Sequence, residues 1–570
     1  MFKPFRLTTL FAIALVLSMV VVACGSDEDA TATPAPTRPP AATTAPAPAA
    51  TTVPAVAPTA PPTRAPTATP APTATPGPKR GGIMNVGHVG QQNTINPLKL
   101  ATVNVNNPNE AVYSHLIFAD EADNSKIVGD LAESWTVADN GATYNFKIRT
   151  GVKWHDGRAL TTDDVKAILD IWLLPATEPF VKTLINDIAS VTAIDASTVQ
   201  VKLKAGSGSF IQRIQRPYMV PPHLVSAGND LEKDVVGTGP YKLSKHTKDA
   251  AFEVVRNPEY FESGLPYLDG VTYFFIADAA LRIAAAKTGR VDLVTSSAFF
   301  GQDVVSQFTG NTNITVEQFQ GDGLLTVLFQ TTKAPWDDIR ARRAFHLVFD
   351  RLKAITLIGL GKGFTAAMPV FGEFALPPAE LNAMPGFRQP KGPDIDEAKR
   401  LWSQVTVPGN LTVNIVTITG RSNQQNIAIL AAEVLTTLGV QSRINSVDVA
   451  TFTSTQAGGT YDLQAVNTRN LVATDPSGIG AQFQATAGTA LWWRPDPKVV
   501  DLYNQQAAAA DPARRLQLVR DMQRAYLEVL PVTSVMVEYL IIPRANYVKG
   551  WLPPIGQYSN HKYHKLWLDK

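Results

Sequence analysis

The sequence predicts an α/β protein of at least two lobes, and three observations carry that expectation. Its 570 residues exceed what one hydrophobic core usually serves. Strand-like and helix-like segments alternate after about residue 335, the pattern of an α/β lobe. Before that, residues 133 to 149 read as an antiparallel hairpin that feeds a capped helix. A composition of 45% hydrophobic and 18% charged residues is ordinary for a large soluble chain. The formal net charge of +2 leaves little field to attract nucleic acid or an anionic membrane surface, so neither is expected as a charge-driven partner.

The chain opens with MFKPFR, where Lys3 and Arg6 form a basic region. It continues with LTTLFAIALVLSMVVVA, an apolar run of about 17 residues. This order describes a secretory leader, and a retained membrane helix is the alternative, the run lying at the lower edge of what spans roughly 30 Å. Cys24, the single cysteine, follows Val21, Val22 and Ala23 and resembles the acylated cysteine of a bacterial lipobox. The expectation is therefore a lipoprotein signal peptide over 1–23 and a lipid on Cys24, anchoring an extracytoplasmic protein to the cell membrane, in a periplasm or on the outer face. The mature chain would then carry no thiol, which excludes disulfides, thiolate catalysis and cysteine metal sites.

Residues 24–78 form a tether that from about Ala30 is nearly all Ala, Thr and Pro, without an aromatic residue. Such a composition cannot bury enough apolar surface to offset its ordering entropy. At about 3.1 Å per residue, roughly 50 residues reach on the order of 150 Å when extended.

Folded sequence starts near Lys79, and GGIMNVGHVG reads as an apolar strand entered through two glycines. In the hairpin, Tyr144, Phe146 and Ile148 share one face and Asn140-Gly141 makes the turn. After Asp156-Gly157, LTTDDVKAILDIW starts a helix in which Thr161 is the cap, with Asp164 three residues on. Strands are expected at 198 to 204 and 241 to 245. Ile339, Ala344, Leu347, Val348, Leu352 and Ile355 predict one helix. Ile427, Leu430, Ala431, Val434, Leu435 and Leu438 predict another, closed by Gly439.

Four stretches hold groups that could do chemistry, and each has a plainer reading. Trp154, His155 and Asp156 could be an acid/base pair beside an aromatic wall, but Asp156-Gly157 reads as a turn, with Trp154 packed in the core. GLGKG at 359 to 363 follows a helix, where a phosphate loop needs a strand before it. His561 and His564 have no third metal ligand nearby, and an exposed tail is expected there. AGSGS does not fit the nucleophile elbow. No catalytic residue, metal or cofactor is assigned.

GDLAESWTVADNGATYNFKIRTGVKWHDG followed by LTTDDVKAIL resembles the signature of the family 5 extracellular solute-binding proteins, the dipeptide, oligopeptide and nickel receptors of ABC importers. VGTGPYKL, NPEYFESGLPYLDGV with AAAKTGRVDL, KAPWDDIRARRAFHLVFDR, and DPARRLQLVRDMQRAYLEVLPVTSV extend the resemblance over nearly all of the folded chain. It implies a bilobed periplasmic-binding-protein-like fold with a central ligand cleft and a subdomain inserted in the first lobe. The first lobe would take 79–115, 237–325 and 531–570, the inserted subdomain 116–236 and the second lobe 326–530, with the hinge near 325 and 531. It also implies a monomer that hands its solute to permease subunits. An exported hydrolase using His155 and Asp156, and a sensory receptor of the same fold, are the alternatives.

The resemblance further implies where a ligand sits. Asn93, Asn104, Tyr113, Phe329, Gln330, Asp475, Trp492 and Trp493 fall where the family's lobes face each other. In peptide-binding members the strand after Gly-x-Tyr-Asp resembles Trp-x-x-Asp-Tyr-Pro-Asp-Pro, whose first aspartate pairs with the peptide amino terminus. Here Val472 takes the aspartate's place and Arg469 the tryptophan's. Valine cannot pair with an ammonium group. The expected ligand is a non-standard peptide or a polar or acidic small molecule, met by Arg469.

Overall fold

Strand β1 (Ile83–His88) follows Gly81 and Gly82, whose φ of 104° and 82° turn the chain into it. The computed structural model describes residues 77–90, 94–99, 107–120, 126–177, 179–295, 300–469, 475–479, 496–553 and 562–570. Cys24, Asn93, Asn104, Val472, Trp492 and Trp493 lie outside the described residues, as do the leader and nearly all of the tether. Contacts separate Met1–Ala74 from the unit Thr75–Lys570, to which all that follows refers.

β2 (Ile117–Ala119) and β3 (Ile127–Gly129) pair antiparallel. A four-stranded sheet then takes β4 (Ala132–Ala138), β5 (Thr143–Ile148), β6 (Ile188–Ala193) and β7 (Thr198–Leu203) in the order β4-β5-β7-β6. Its hairpin turns at Asp139–Gly141, with Asn140 in the left-handed region at φ 52°, as Asn-Gly there predicts. Tyr144, Phe146 and Ile148 are buried against helix α1 (Thr162–Trp172) and its neighbours. Thr161 and Asp164 form the expected capping box at its start.

The main sheet has ten strands. Besides β1 it holds β8 (Tyr241–Thr247), β9 (Ala251–Arg256), β10 (Gly270–Phe275), β11 (Leu293–Val294), β12 (Ile314–Phe329), β13 (Thr412–Ile418), β14 (Gln441–Val447), β15 (Leu463–Arg469) and β16 (Val532–Ala545). The order is β14-β13-β15-β12-β16-β11-β1-β10-β9-β8. β12 and β16 form an antiparallel ribbon that runs through both halves of this sheet. At one end of the ribbon Phe319, Ile542 and Ala545 pack with β1 and β10, and at the other Leu325, Val327, Phe329, Val535 and Met536 pack with β13 and β15. The ribbon thus changes hydrophobic core along its length.

Helix α2 (Ala279–Lys287) covers the β1 half of the sheet; α3 (Ile339–Val348), α4 (Arg351–Gly359) and α5 (Ser422–Thr437) cover the β13 half. Gly439 sits at φ 76° just beyond α5, as expected of the residue after a helix end. The single helix expected from Ile339 to Ile355 is instead α3 and α4. Phe349 and Asp350 are extended between them, and Asp350 accepts from the backbone N–H of Leu352 and Lys353 as the cap of α4. The GLGKG segment is the end of α4: Leu360 takes the left-handed conformation and Gly361 N–H donates to Ile355 O at 3.0 Å. A Cβ on Gly363 would lie 2.5 Å from Met536 Cε, so glycine permits the close approach to β16. Helix α6 (Pro512–Val529) precedes β16.

The exposed C-terminal tail that the sequence suggests is corrected by the fold. β17 (Val548–Lys549) pairs with β18 (Trp567–Leu568), and Lys562, Tyr563 and His564 are all buried. Lys562 Nζ reaches Asp130 Oδ2 at 2.5 Å, and Tyr563 O accepts from Tyr241 Oη at 3.1 Å. Polar groups of the tail find buried partners that lie hundreds of residues away in the chain, which local composition does not reveal.

Candidate functional site

The strand ends of both half-sheets point to one place. β1, β10 and β11 are parallel, and β11 runs antiparallel to β16 with Leu293 opposite Arg544, so its carboxyl end advances toward the middle of β16. In the other half β13, β14 and β15 are parallel, and β15 ends with Arg469 opposite Gly323 in the middle of β12. Ligands of open α/β sheets bind beyond the carboxyl ends of strands. The middle of the ribbon, with the strand ends at His88, Val294 and Arg469, is therefore the candidate site.

The ribbon is irregular at that place. Pairing runs from Ile314 opposite Ala545 to Gln320 opposite Tyr539 and resumes with Leu324 opposite Val537. Gly321, Asp322 and Gly323 thus face Glu538 alone, a bulge of three residues against one. Glu538 is 3% exposed and its Oε1 accepts a hydrogen bond of 2.5 Å from Asn467 Nδ2 on β15.

Some residues expected to meet a ligand are also described. Tyr113 is buried and its ring lies 5.8 Å from that of Tyr218; among the described residues its hydroxyl has no hydrogen-bond partner, and burial raises its pKa. The Phe329 ring is fully buried between Trp336 and Phe345, with centroids at 5.2 and 5.3 Å, and so belongs to the core behind the ribbon. Gln330 is buried and its Oε1 accepts from Thr332 Oγ1 at 3.0 Å. Asp475 accepts two hydrogen bonds from Arg515, at 2.7 and 2.8 Å. Arg469 ends β15 at the bulge. Sequence reasoning passed over Glu538, Asn467 and the two glycines. Gly-Asp-Gly inside an apolar strand pattern was the available signal.

His155 stands apart from this site and holds two loops together. Its Nδ1 accepts from Gly237 N–H at 3.2 Å and its Nε2 donates to Gly239 O at 3.0 Å, which requires the neutral ring. Asp156 faces His223 Nε2 at 2.8 Å, and Trp154 is buried as expected. Burial lowers the pKa of His155 to about 4, and that of His88, which stands at the end of β1, likewise to about 4. The unfolded chain takes up these two protons below about pH 6.5 and the folded one only near pH 4. Stability is therefore complete above about pH 6.5 and falls as pH drops toward 4, each histidine contributing up to on the order of 3 kcal/mol. Urea unfolding at stepped pH should show this slope, and His88→Phe should flatten part of it. An equal slope in the variant would refute the assignment to His88.

Among the described residues no group of three or more His, Cys, Asp or Glu is placed to hold a metal ion. No helix among them is long and apolar enough to cross a membrane.

A two-half α/β sheet crossed by one ribbon, with strand ends converging on its middle, is the architecture of a ligand-enclosing binding protein. The chain belongs to the bacterial extracellular solute-binding proteins, family 5, whose profile it matches over residues 126–489. A Brucella ovis protein named for ABC transporter peptide binding is 28% identical over 435 residues, covering 73% of this chain and 79% of its own. The glutathione-binding protein GsiB of Escherichia coli is 24% identical over 457 residues, covering 76% of this chain and 85% of its own. Among solved structures, the oligopeptide-binding protein AppA from Bacillus subtilis, in complex with a nonapeptide, superposes with a TM-score of 0.71 at 20% identity. That match covers 87% of this chain and 100% of the other, and it shows the shared fold.

Proposed function

We propose that this chain is the solute receptor of an ABC importer, held at the membrane by a lipid on Cys24 and by the tether over residues 24–78. Its membership of the solute-binding family is the observation that carries this reading. A solute binds between two lobes, the ribbon bends, and contacts from the second lobe stabilise the closed form that a permease accepts. The solute can shift that equilibrium only by its differential affinity for the two forms. The tether raises the receptor's effective concentration near the permease. In this reading the first lobe takes 79–115, 237–325 and 531–570, with 116–236 inserted, and the second takes 326–530.

The solute class follows from the sequence at and just after the end of β15. Val472 offers nothing to a peptide ammonium group, while Arg469 offers a bidentate donor to a carboxylate or another polar acceptor. The names of the relatives, one for peptides and one for glutathione, support a peptide-like solute of unusual chemistry. Calorimetric titration with alanine di- to pentapeptides should show no tight binding, and with glutathione a measurable one. Tight binding of the plain peptides would refute the solute class. Arg469→Ala should lower the affinity for glutathione by about tenfold to a hundredfold, the scale of a hydrogen bond to a charged group, without changing the melting temperature.

A further inference from the structure

Gly321 leaves room for the side chains of Leu540, whose Cγ would lie 3.1 Å from a Cβ there, and of Glu538, and Gly323 leaves room for Asn467 and Glu538. A Cβ on Gly321 would lie 3.3 Å from Glu538 Cγ and 3.2 Å from its backbone O. A Cβ on Gly323 would lie 2.7 Å from Glu538 Oε1 and 2.2 Å from Asn467 Oδ1. Contacts below 3.0 Å force a shift, so the second glycine is required as long as Asn467 and Glu538 meet. The three-against-one bulge interrupts the ladder between β12 and β16 here, between the two cores that the ribbon joins. At this bulge a buried carboxylate on β16 holds a side-chain amide on β15 by a hydrogen bond that passes over β12.

We infer that Glu538 is a positioning residue, a pin that fixes the solute-reading end of β15 to the bulge of the ribbon. Asn467 and Arg469 lie two residues apart on one strand and so share a face. Holding Asn467 therefore sets where the backbone at the end of β15 stands relative to the bulge. What that end of β15 reads rests on the proposed function; the pin itself rests on the geometry above. The consequence is coupling: a displacement of the end of β15 is felt at the bulge, and a bend at the bulge moves the end of β15.

Hydrogen exchange of the full chain, free of solute, tests this. In Glu538→Ala the amides of Leu463–Arg469 should exchange about tenfold faster or more, the scale of losing a hydrogen bond to a charged acceptor, while those of the β4–β7 sheet keep their rates. Asn467→Ala, which removes the donor, and Gly323→Ala, which drives the pair apart, should give the same local pattern. Glu538→Gln keeps an acceptor oxygen and should stay within about twofold of the parent rates, whereas Glu538→Met, which fills similar space without that acceptor, should exchange as fast as Glu538→Ala, a difference that a purely space-filling role would not give. Unchanged exchange in β15 in Glu538→Ala and Asn467→Ala, or an increase spread evenly over both sheets, would overturn the pin. No solute enters this experiment. Its failure therefore leaves the receptor reading standing, and a parent protein that binds no solute leaves the pin standing.

Discussion

Replacing Lys562 by Met should lower the free energy of unfolding by about 3–5 kcal/mol, the cost of stripping one partner from a buried ion pair. Both side chains of the Lys562–Asp130 pair are nearly inaccessible, at 3% and 2% exposure. The same oxygen of Asp130 accepts from His115 N–H at 2.7 Å, and the ammonium lies 5.0 Å from the centre of the Phe118 ring. Met fills much of the space of the lysine and leaves the carboxylate buried without its cation. A stability comparison by urea midpoint should include Lys79→Ala, which breaks an exposed pair with Asp569 and should leave the midpoint nearly unchanged. Similar midpoints for the two variants would show that the tail contributes no more than an ordinary surface contact.

Asp475→Ala should cost a similar amount, about 3–5 kcal/mol, and by the same physics. Its two oxygens meet the two terminal nitrogens of Arg515 on α6, and the side chains of the pair are 7% and 1% exposed. The guanidinium also donates to Gln506 O and lies 5.3 Å from the centre of the Phe374 ring. Asp475 therefore anchors the short turn Pro476–Ile479 that follows it to α6. Loss of solute affinity in Asp475→Ala should come with a lower urea midpoint. A variant with the parent midpoint and a weakened affinity would instead assign Asp475 to the solute itself.

Local features of the fold were legible, because their partners lie a few residues apart. Thr161 and Asp164 announce a capped helix, Asn140-Gly141 announces its turn, and Gly439 ends α5 where a glycine should. The break between α3 and α4 is also local, but the apolar spacing runs through it unchanged and hides the cap at Asp350. The pairs that decide the interior are of another kind. Lys562 and Asp130 are separated by 432 residues, and Asn467 and Glu538 by 71. Nothing in the neighbourhood of either residue indicates its partner, because such pairs are set by strand order and register. The three-against-one bulge is legible only in part: Gly-Asp-Gly marks an interruption in the strand, but not that Glu538 fills it.

The ribbon has a mechanical consequence. Because β12 and β16 are hydrogen-bonded strands of one sheet in both halves, the ribbon would act as a torsion bar whose compliant length spans its two irregularities, the bulge at Glu538 and the register shift between Leu325 and Thr326. Twisting such a bar stores elastic energy that grows with the angle and returns when the load is removed. Release of the solute would then be driven in part by the recoil of the protein's own backbone, and stiffening that short length would slow both capture and delivery.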